Sequence, residues 1–322
     1  MENQCLGLAE RLESRLGESS VALKIVTKRL APRAPWKWLP ESLFGFPWPL
    51  PFAALGSDSD ALEEPWPDLV IACGRKTVAY SAAIKKRSKG KTFVVQTQDP
   101  RLDARFFDLV IPPRHDNLEG PNVLPILGSP NRITPARLRE GAAIVGALFN
   151  HLPERRIAVL IGGSSQRFTL DLEVMETLAD QLQDLARQGF GLMITTSRRT
   201  GEAQEKLLRE RLTGDGIHIW DGGEPNPYFA MLAEASHILV TEESTNMITE
   251  AAATGKPVYI LPLKGHAPKF ERFHRGLSEA GITRGFEGAL ETWDYEPLDE
   301  TGRAAGVIME QLKSRSIIHT DS

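Results

Sequence analysis

Three short polar runs in the C-terminal half of the chain carry groups suited to holding an anion, and each follows an apolar run of β type. Ser244-Thr245-Asn246 follows His237–Thr241 and opens a helical pattern over Thr245–Thr254, with Met247, Ile248, Ala251 and Ala252 on one side. Ser244 stands where an N-cap belongs, and the amides of the next residues follow it. A helix N-terminus has free N–H groups and a positive dipole end, which suits phosphate. Gly162-Gly163-Ser164-Ser165 follows Arg156–Ile161. Two glycines let backbone approach a ligand closely, and two hydroxyls can donate to an anion. Ser197-Arg198-Arg199-Thr200 follows Gly191–Thr195. Either arginine can fork a phosphate in two hydrogen bonds, which lysine does less well. Each run also has a plainer reading as a well-capped βα turn or a solvated basic helix start, and such turns mostly bind nothing.

The N-terminal half repeats the arrangement with other chemistry. Gly74-Arg75-Lys76-Thr77 follows Pro67–Cys73, Thr97-Gln98-Asp99-Pro100-Arg101 follows Lys91–Gln96, and Pro112-Pro113-Arg114-His115-Asp116 follows Phe107–Ile111. Ligands of an open parallel sheet gather at the carboxyl ends of its strands. Asp99, His115 and Asp116 are therefore candidates to share one crevice and act there as a base. Singly, each is also an ordinary turn or capping residue. The glycine turns match neither GxGxxG nor GxxxxGK[ST], so a dinucleotide fold and a P-loop are not supported.

The elements that position these groups alternate strand and helix along most of the chain. Helical spacing runs over Pro135–Leu148, Leu170–Gln188, Gly201–Leu212, Tyr228–Glu234, Phe270–Glu279 and Asp299–Ser314, with β runs at Val21–Val26, Val123–Ile126, Ile217–Trp220 and Val258–Leu261. A rigid turn, Asp221–Tyr228, precedes the helix that Tyr228 opens. This pattern predicts an α/β protein of two facing Rossmann-like domains, each a parallel sheet flanked by helices. They are placed at 1–149 and 156–298, with a C-terminal helix and tail at 299–322. The chain begins on a helix over Met1–Leu16, whereas such a domain usually opens with a strand that feeds its first helix. Either that sheet edge is built differently or the natural start lies upstream.

Composition narrows the class. The 322 residues are enough for two cores. A formal net charge of -4 gives no basic field for nucleic acid. Two cysteines, Cys5 and Cys73, fit neither a disulfide framework nor a metal site. With no apolar run long enough for a span and no leader pattern, a cytoplasmic location is expected. One stretch stands apart: Ala31–Leu55 holds Trp36, Trp38, Phe44, Phe46 and Trp48 among several prolines. It is either a packed Ω-type loop or a surface that meets a membrane interface or an apolar acceptor, with Arg33 and Lys37 suited to an anionic bilayer.

The runs ENQCLGLAERL, DLVIACGRKT, VVQTQDPR, FDLVIPPRHD, GPNV, IGGSS, TTSRRT and NPYFAMLAEASHILVTEESTNMITEAAATGKPVY resemble, in family order, the bacterial and plant proteins named after a plant mitochondrial-fission factor. The second half also resembles GT-B glycosyltransferases, such as the peptidoglycan lipid-intermediate N-acetylglucosaminyltransferase, and UDP-sugar 2-epimerases. By that resemblance Ser244, Thr245 and Asn246 meet the diphosphate of a nucleotide sugar, Glu250 meets the ribose, and Gly163 and Ser164 line the cleft. The wider set expected around the nucleotide is Gly162, Ser165, Ser197, Arg198, Arg199, Thr200, Asn226, Tyr228, Glu243 and Met247. Plant members of the family are regarded as recruiters of a dynamin-like protein.

Three functions follow from these features. The first is an inverting, metal-independent transferase, with a nucleotide sugar as donor substrate, no cofactor, and an envelope lipid or glycan as acceptor. His115, Asp116 or Asp99 would be its base, and the aromatic loop would rest on the inner membrane or grip the acceptor. The second is a non-catalytic recruitment protein that uses the same loop. The third is an epimerase drawing its acid–base pair from Asp99, His115, Glu243 and His266.

Overall fold

A computed structural model of the chain describes residues 1–17, 23–34, 38 and 52–318. It divides into two compact units, Met1–Arg132 with Glu300–Ser322, and Ile133–Asp299.

The first unit is built on a three-stranded parallel sheet of β1 (Leu69–Cys73), β2 (Phe93–Thr97) and β3 (Leu109–Ile111), in that order. These runs are apolar but for Gln96 and Thr97 at the end of β2, because both faces of the sheet are covered. On one face, Phe93, Val95, Leu109 and Ile111 meet Leu8 and Leu12 of α1 (Glu2–Leu16) and Ala304, Ala305, Ile308 and Leu312 of a helix near the C-terminus. On the other, Val94 and Val110 pack with Val78 of α2 (Val78–Arg87) and with Phe107. Asp108 locks this unit: it is buried, accepts the Val94 amide at 2.8 Å, and pairs with Lys85 at 3.1 Å and Arg315 at 2.7 Å.

The second unit opens with α3 (Pro135–Val145), capped by Thr134, whose hydroxyl accepts the Arg137 amide. A six-stranded, all-parallel sheet follows. Its strands in chain order are β4 (Arg156–Leu160), β6 (Gly191–Thr195), β7 (Ile217–Ile219), β8 (His237–Thr241), β9 (Val258–Leu261) and β11 (Thr283–Gly285). In space they run β11-β9-β8-β4-β6-β7. Two-residue strands β5 (Phe168–Thr169) and β10 (Lys264–Gly265) form a separate antiparallel pair. The flanking helices are α4 (Leu172–Arg187), α5 (Glu202–Arg211), α6 (Tyr228–Glu234), α7 (Thr245–Ala252) and α8 (Pro268–Glu279). α4 shows how sequence becomes packing. Asp171 accepts the Val174 amide as its N-cap, and Met175, Leu178, Ala179, Leu182 and Leu185 then recur at three- and four-residue steps into the core.

The alternation read from the sequence is the architecture found, with four adjustments. The β run expected at Val21–Val26 is not a strand over residues 23–26, and residues 21 and 22 lie outside the described part. Val123–Ile126 makes only isolated bridges, Val123 to Val110 and Ile126 to Pro113, because Pro125 breaks the run. The units divide at Arg132/Ile133, ahead of the sequence boundary at 149, since α3 packs on α6 so closely that a Cβ at Gly141 would meet Phe229 Cβ at 2.6 Å. The last helix, α9 (Glu300–Ser314), belongs to the first unit: Ala304 and Ala305 give it a flat face against α1. Most of the aromatic loop, including Trp36, Phe44, Phe46 and Trp48, lies outside the described residues.

Candidate functional site

β8, β4 and β6 are neighbours in the second sheet, and the three polar runs leave their carboxyl ends side by side. The residues that join them are Gly162, Gly163, Ser197, Arg199, Thr200, Thr241 and Glu243. The Gly162 amide donates to Thr241 Oγ1 at 2.8 Å, and the Gly163 amide to Glu243 Oε1 at 2.8 Å. The Gly162 carbonyl accepts from the Ser197 hydroxyl at 2.9 Å and from the Thr200 hydroxyl. Thr200 Oγ1 also accepts the Ser197 amide at 2.9 Å, and Ser197 Oγ accepts the Arg199 amide at 3.1 Å.

Glu243 is the hub. Its side chain has no exposure, and Oε1 also accepts from the Arg199 guanidinium at 3.1 Å, while Arg199 itself is half exposed. Glu243 Oε2 is buried without a hydrogen-bond partner among the described residues. The glycine pair follows from this hub. A Cβ on Gly162 would sit 1.8 Å from Glu243 Oε1, and one on Gly163 would sit 2.0 Å from the Arg199 carbonyl oxygen. From sequence these glycines are expected to let backbone approach a ligand. Their close neighbours are a buried carboxylate and the next loop's backbone.

The serine hydroxyls likewise serve the fold. Ser164 Oγ accepts the Leu170 amide, and Ser165 Oγ accepts the amides of Arg167 and Phe168. Ser244 occupies the N-cap position of α7 but makes no capping hydrogen bond, contrary to its expected role; its backbone there has φ −100° and ψ 81°. The first amides of α7 are thus not spent on Ser244. Thr245 and Met247 are partly exposed and Asn246 exposed. Arg198 is exposed, and among the described residues no hydrogen bond or ion pair engages its guanidinium.

Glu250 lies in the second turn of α7. Tyr228 Oη, at the start of α6, donates to Glu250 Oε2 at 2.6 Å. Burial pushes the Glu250 carboxyl up to about 7, against the Tyr228 hydrogen bond, which favours the charged form. Tyr228 is pushed well above the usual phenol range by burial and by the adjacent carboxylate. Asn226 Oδ1 accepts the Tyr228 amide at 2.9 Å, so Asn226 fixes the turn that presents the phenol. Lys256, in the GKP run, turns away from these loops. Its Nζ donates to the carbonyls of Leu232 (2.6 Å) and Ala233 at the end of α6, and burial lowers its pKa to about 8.

The candidate bases sit in the first unit. Asp99 Oδ1 accepts the Arg101 amide at 2.8 Å and so closes its own turn. His115 is buried and Asp116 partly buried, in a short 3-10 turn whose Arg114 grips buried Glu300 of α9 at 3.2 Å. In the second unit His266 is exposed and contacts Glu271 at 2.7 Å. Sequence reasoning missed Thr241 and the Tyr228–Glu250 bond. A lone hydroxyl closing an otherwise apolar strand was the available signal for the first; nothing in local spacing signals the second.

The chain matches the family model described as Mitochondrial fission ELM1 over residues 1–312. It is 33% identical over 281 residues to the mitochondrial fission protein ELM1 of Arabidopsis thaliana, covering 79% of this chain and 66% of that protein, so it spans just under two thirds of that relative's length. It is 28% identical over 295 residues to the uncharacterized protein RP120 of Rickettsia prowazekii, covering 79% of this chain and 82% of that one. Among solved structures, UDP-GlcNAc 2-epimerase of Methanocaldococcus jannaschii, in complex with UDP-GlcNAc and UDP, superposes with a TM-score of 0.51 at 16% identity, over 77% of this chain and 76% of that one. That likeness shows a shared fold of the GT-B type, with parallel sheets flanked by helices. The sequence match along nearly the whole length goes further, and by it the chain belongs to the mitochondrial fission ELM1 family.

Proposed function

We propose that the second unit binds a nucleotide sugar and that the chain is a metal-independent inverting glycosyltransferase with an envelope lipid or glycan acceptor. The observation that carries this reading is the meeting of three βα turns at the carboxyl ends of adjacent strands β8, β4 and β6. In open α/β sheets that is where ligands bind. The diphosphate is assigned to the first α7 amides at Thr245 and Asn246, with Arg198 supplying charge that none of the described residues neutralises. Glu250, steadied by Tyr228, takes a ribose hydroxyl. In transfer, the leaving diphosphate gains negative charge, and fixed N–H groups and an arginine stabilise it without reorganising. His115, Asp116 or Asp99 would deprotonate the acceptor.

Trp38 is 72% exposed, which suits the lipid side of the reading. A binding-only role is the second reading. It is favoured by the use of the Ser164, Ser165, Ser197 and Thr200 hydroxyls inside the fold, which holds the loops without any ligand. A thermal-shift series with UDP-, GDP-, CMP- and ADP-sugars tests the first reading. Stabilisation by one nucleotide class that is lost in Arg198→Ala supports it, and no shift with any of them removes it. Nucleotide binding without sugar turnover, with vesicles of bacterial lipid as acceptor source, selects the second.

A further inference from the structure

We propose that Cys5 and Cys73 form a reversible redox pair, which a hydroperoxide closes into a disulfide between α1 and β1, and that closure releases the turn after β2. This concerns the first unit and does not rest on the nucleotide reading.

The two cysteines are far apart in sequence, and their spacing gives no reason to pair them. The packing of α1 does. Side chains alternate along β1, so Leu69, Ile71 and Cys73 share a face. Leu69 and Ile71 pack on the cluster to which Leu8 and Leu12 of α1 belong. One helical turn before Leu8 stands Gln4, and it meets the next residue of that face: Cys73 Sγ donates to Gln4 Oε1 at 3.2 Å. Cys5 adjoins Gln4, and a side-chain hydrogen bond joins it to Cys73. Cys73 is buried and Cys5 half-buried, so the pair lies just under the surface with one member open to a small solute.

The surroundings give the two sulfurs different roles. Contact with Cys5 lowers Cys73 below the usual thiol range, against burial, and Thr97 lowers it further. The same contact, with burial, raises Cys5. The thiolate is the nucleophile in thiol oxidation. The Cys73 thiolate attacks one peroxide oxygen and the O–O bond breaks. The other oxygen takes a proton and leaves as water or an alcohol, and Cys73 becomes a sulfenic acid. Cys5 then gives up its proton and attacks that sulfur. The S–O bond breaks, and the hydroxide departs with that proton as water. Two electrons pass from the sulfurs to the peroxide bond. A free dithiol reverses the step by exchange.

Closure changes what Gln4 holds. Its Oε1 accepts from Cys73 Sγ and also from Gln98 Nε2 at 3.2 Å. Gln98 opens the turn after β2 that carries Asp99. Its φ is +70°, a left-handed conformation that a residue other than glycine keeps only where its surroundings fix it. A disulfide has no S–H to donate. It turns sulfur lone pairs toward the Gln4 oxygen and draws the first turns of α1 onto β1, which loosens the tie to Gln98.

The test treats the chain with excess hydrogen peroxide at neutral pH and maps it by mass spectrometry without reduction. A monomer carrying a Cys5–Cys73 cross-linked peptide is expected, with both thiols recovered by dithiothreitol. Dimedone, which caps sulfenic acids, should label Cys73 in Cys5→Ser and leave Cys5 unlabelled in Cys73→Ser. In the wild-type chain, oxidation should slow amide exchange roughly tenfold over 4–8 and quicken it roughly threefold over 98–101. Cross-links only between chains, a sulfinic acid at either residue with the other thiol free, or two intact thiols overturn the proposal. A Cys5–Cys73 bond that leaves exchange over 98–101 unchanged is a staple without a switch and overturns it as well.

Discussion

Glu250 offers a measurement in which stability and binding report on the same group. Its carboxyl titrates at about 7 in the folded chain, against an ordinary 4.5, and burial is the main cause. The folded chain therefore holds a proton across that window which the unfolded chain releases. The contribution to stability is fully present below pH 4.5 and is lost as the pH rises through 7. Between pH 5.5 and pH 8 the linkage amounts to about 2 kcal/mol. Glu250 and Tyr228 keep some solvent access, and screening cuts this to about 1 kcal/mol. Urea denaturation at the two pH values, in wild type and Glu250→Gln, isolates the group, because every other titration is common to both chains. Wild type is expected to lose about 1 kcal/mol more than the variant on going from pH 5.5 to 8. Tyr228→Phe removes a hydrogen bond that holds the carboxyl down, so its transition should move to higher pH. If Glu250 also takes a ribose hydroxyl, affinity for the bound nucleotide should rise from pH 6 to 8 by roughly fivefold, as a neutral hydrogen bond becomes a charged one. Parallel stability curves for wild type and Glu250→Gln would refute the reasoning.

Gly163→Ala places a Cβ against the backbone of Arg199, which cannot yield without moving the whole turn, and should cost about 3 kcal/mol or more by thermal denaturation. Gly285→Ala has nothing within 4 Å of its Cβ and should stay within about 0.5 kcal/mol, as a control. Lys256→Met should destabilise by about 1–2 kcal/mol at pH 9, where two carbonyls at the end of α6 lose their donor. The loss should be smaller at pH 7, because a lysine lowered to about 8 contributes less as pH falls through that value. Arg198→Ala should leave the melting temperature unchanged while weakening nucleotide binding. Arg199→Ala should lower stability as well, since it leaves buried Glu243 without its cation.

How far the sequence could be read depended on whether the deciding contact was local. The second sheet is legible almost strand by strand, because runs such as His237–Thr241 and Gly191–Thr195 have apolar centres, Ile238–Val240 and Leu192–Ile194, and are bounded by turn residues. Ser244 was placed correctly at the head of α7, yet its side chain does not cap, because capping depends on backbone angles that residue type alone does not set. The glycine pair reads from sequence as a close approach, and one group that makes that approach comes from far along the chain. Glu243 is 80 residues from Gly163, and no local spacing reveals that it fills the space a Cβ would need. The destination of α9 was hidden for the same reason. Its small residues announce a tight packing face, but only the fold says that α1 is on the other side.

The internal bonding of the three loops bears directly on what they can do. An anion site built from exposed hydroxyls would have to order them when ligand arrives, and each ordered side chain costs about 0.5–1.5 kcal/mol. Here Ser197, Thr200, Thr241 and Glu243 already fix the Gly162–Gly163 turn and the backbone leading to Arg199. The cost is met in folding. What stays open toward solvent is a smaller set: Arg198, part of the Arg199 guanidinium, and the head of α7. Glu243 offsets the charge of Arg199, so the net positive charge at the loops rests on Arg198 and the α7 dipole. A site of that kind holds a diphosphate by fixed geometry more than by excess charge. Its affinity should accordingly fall with salt by little more than the loss of a single ion contact. A steep salt dependence, equivalent to several contacts, would place the anion elsewhere in the chain.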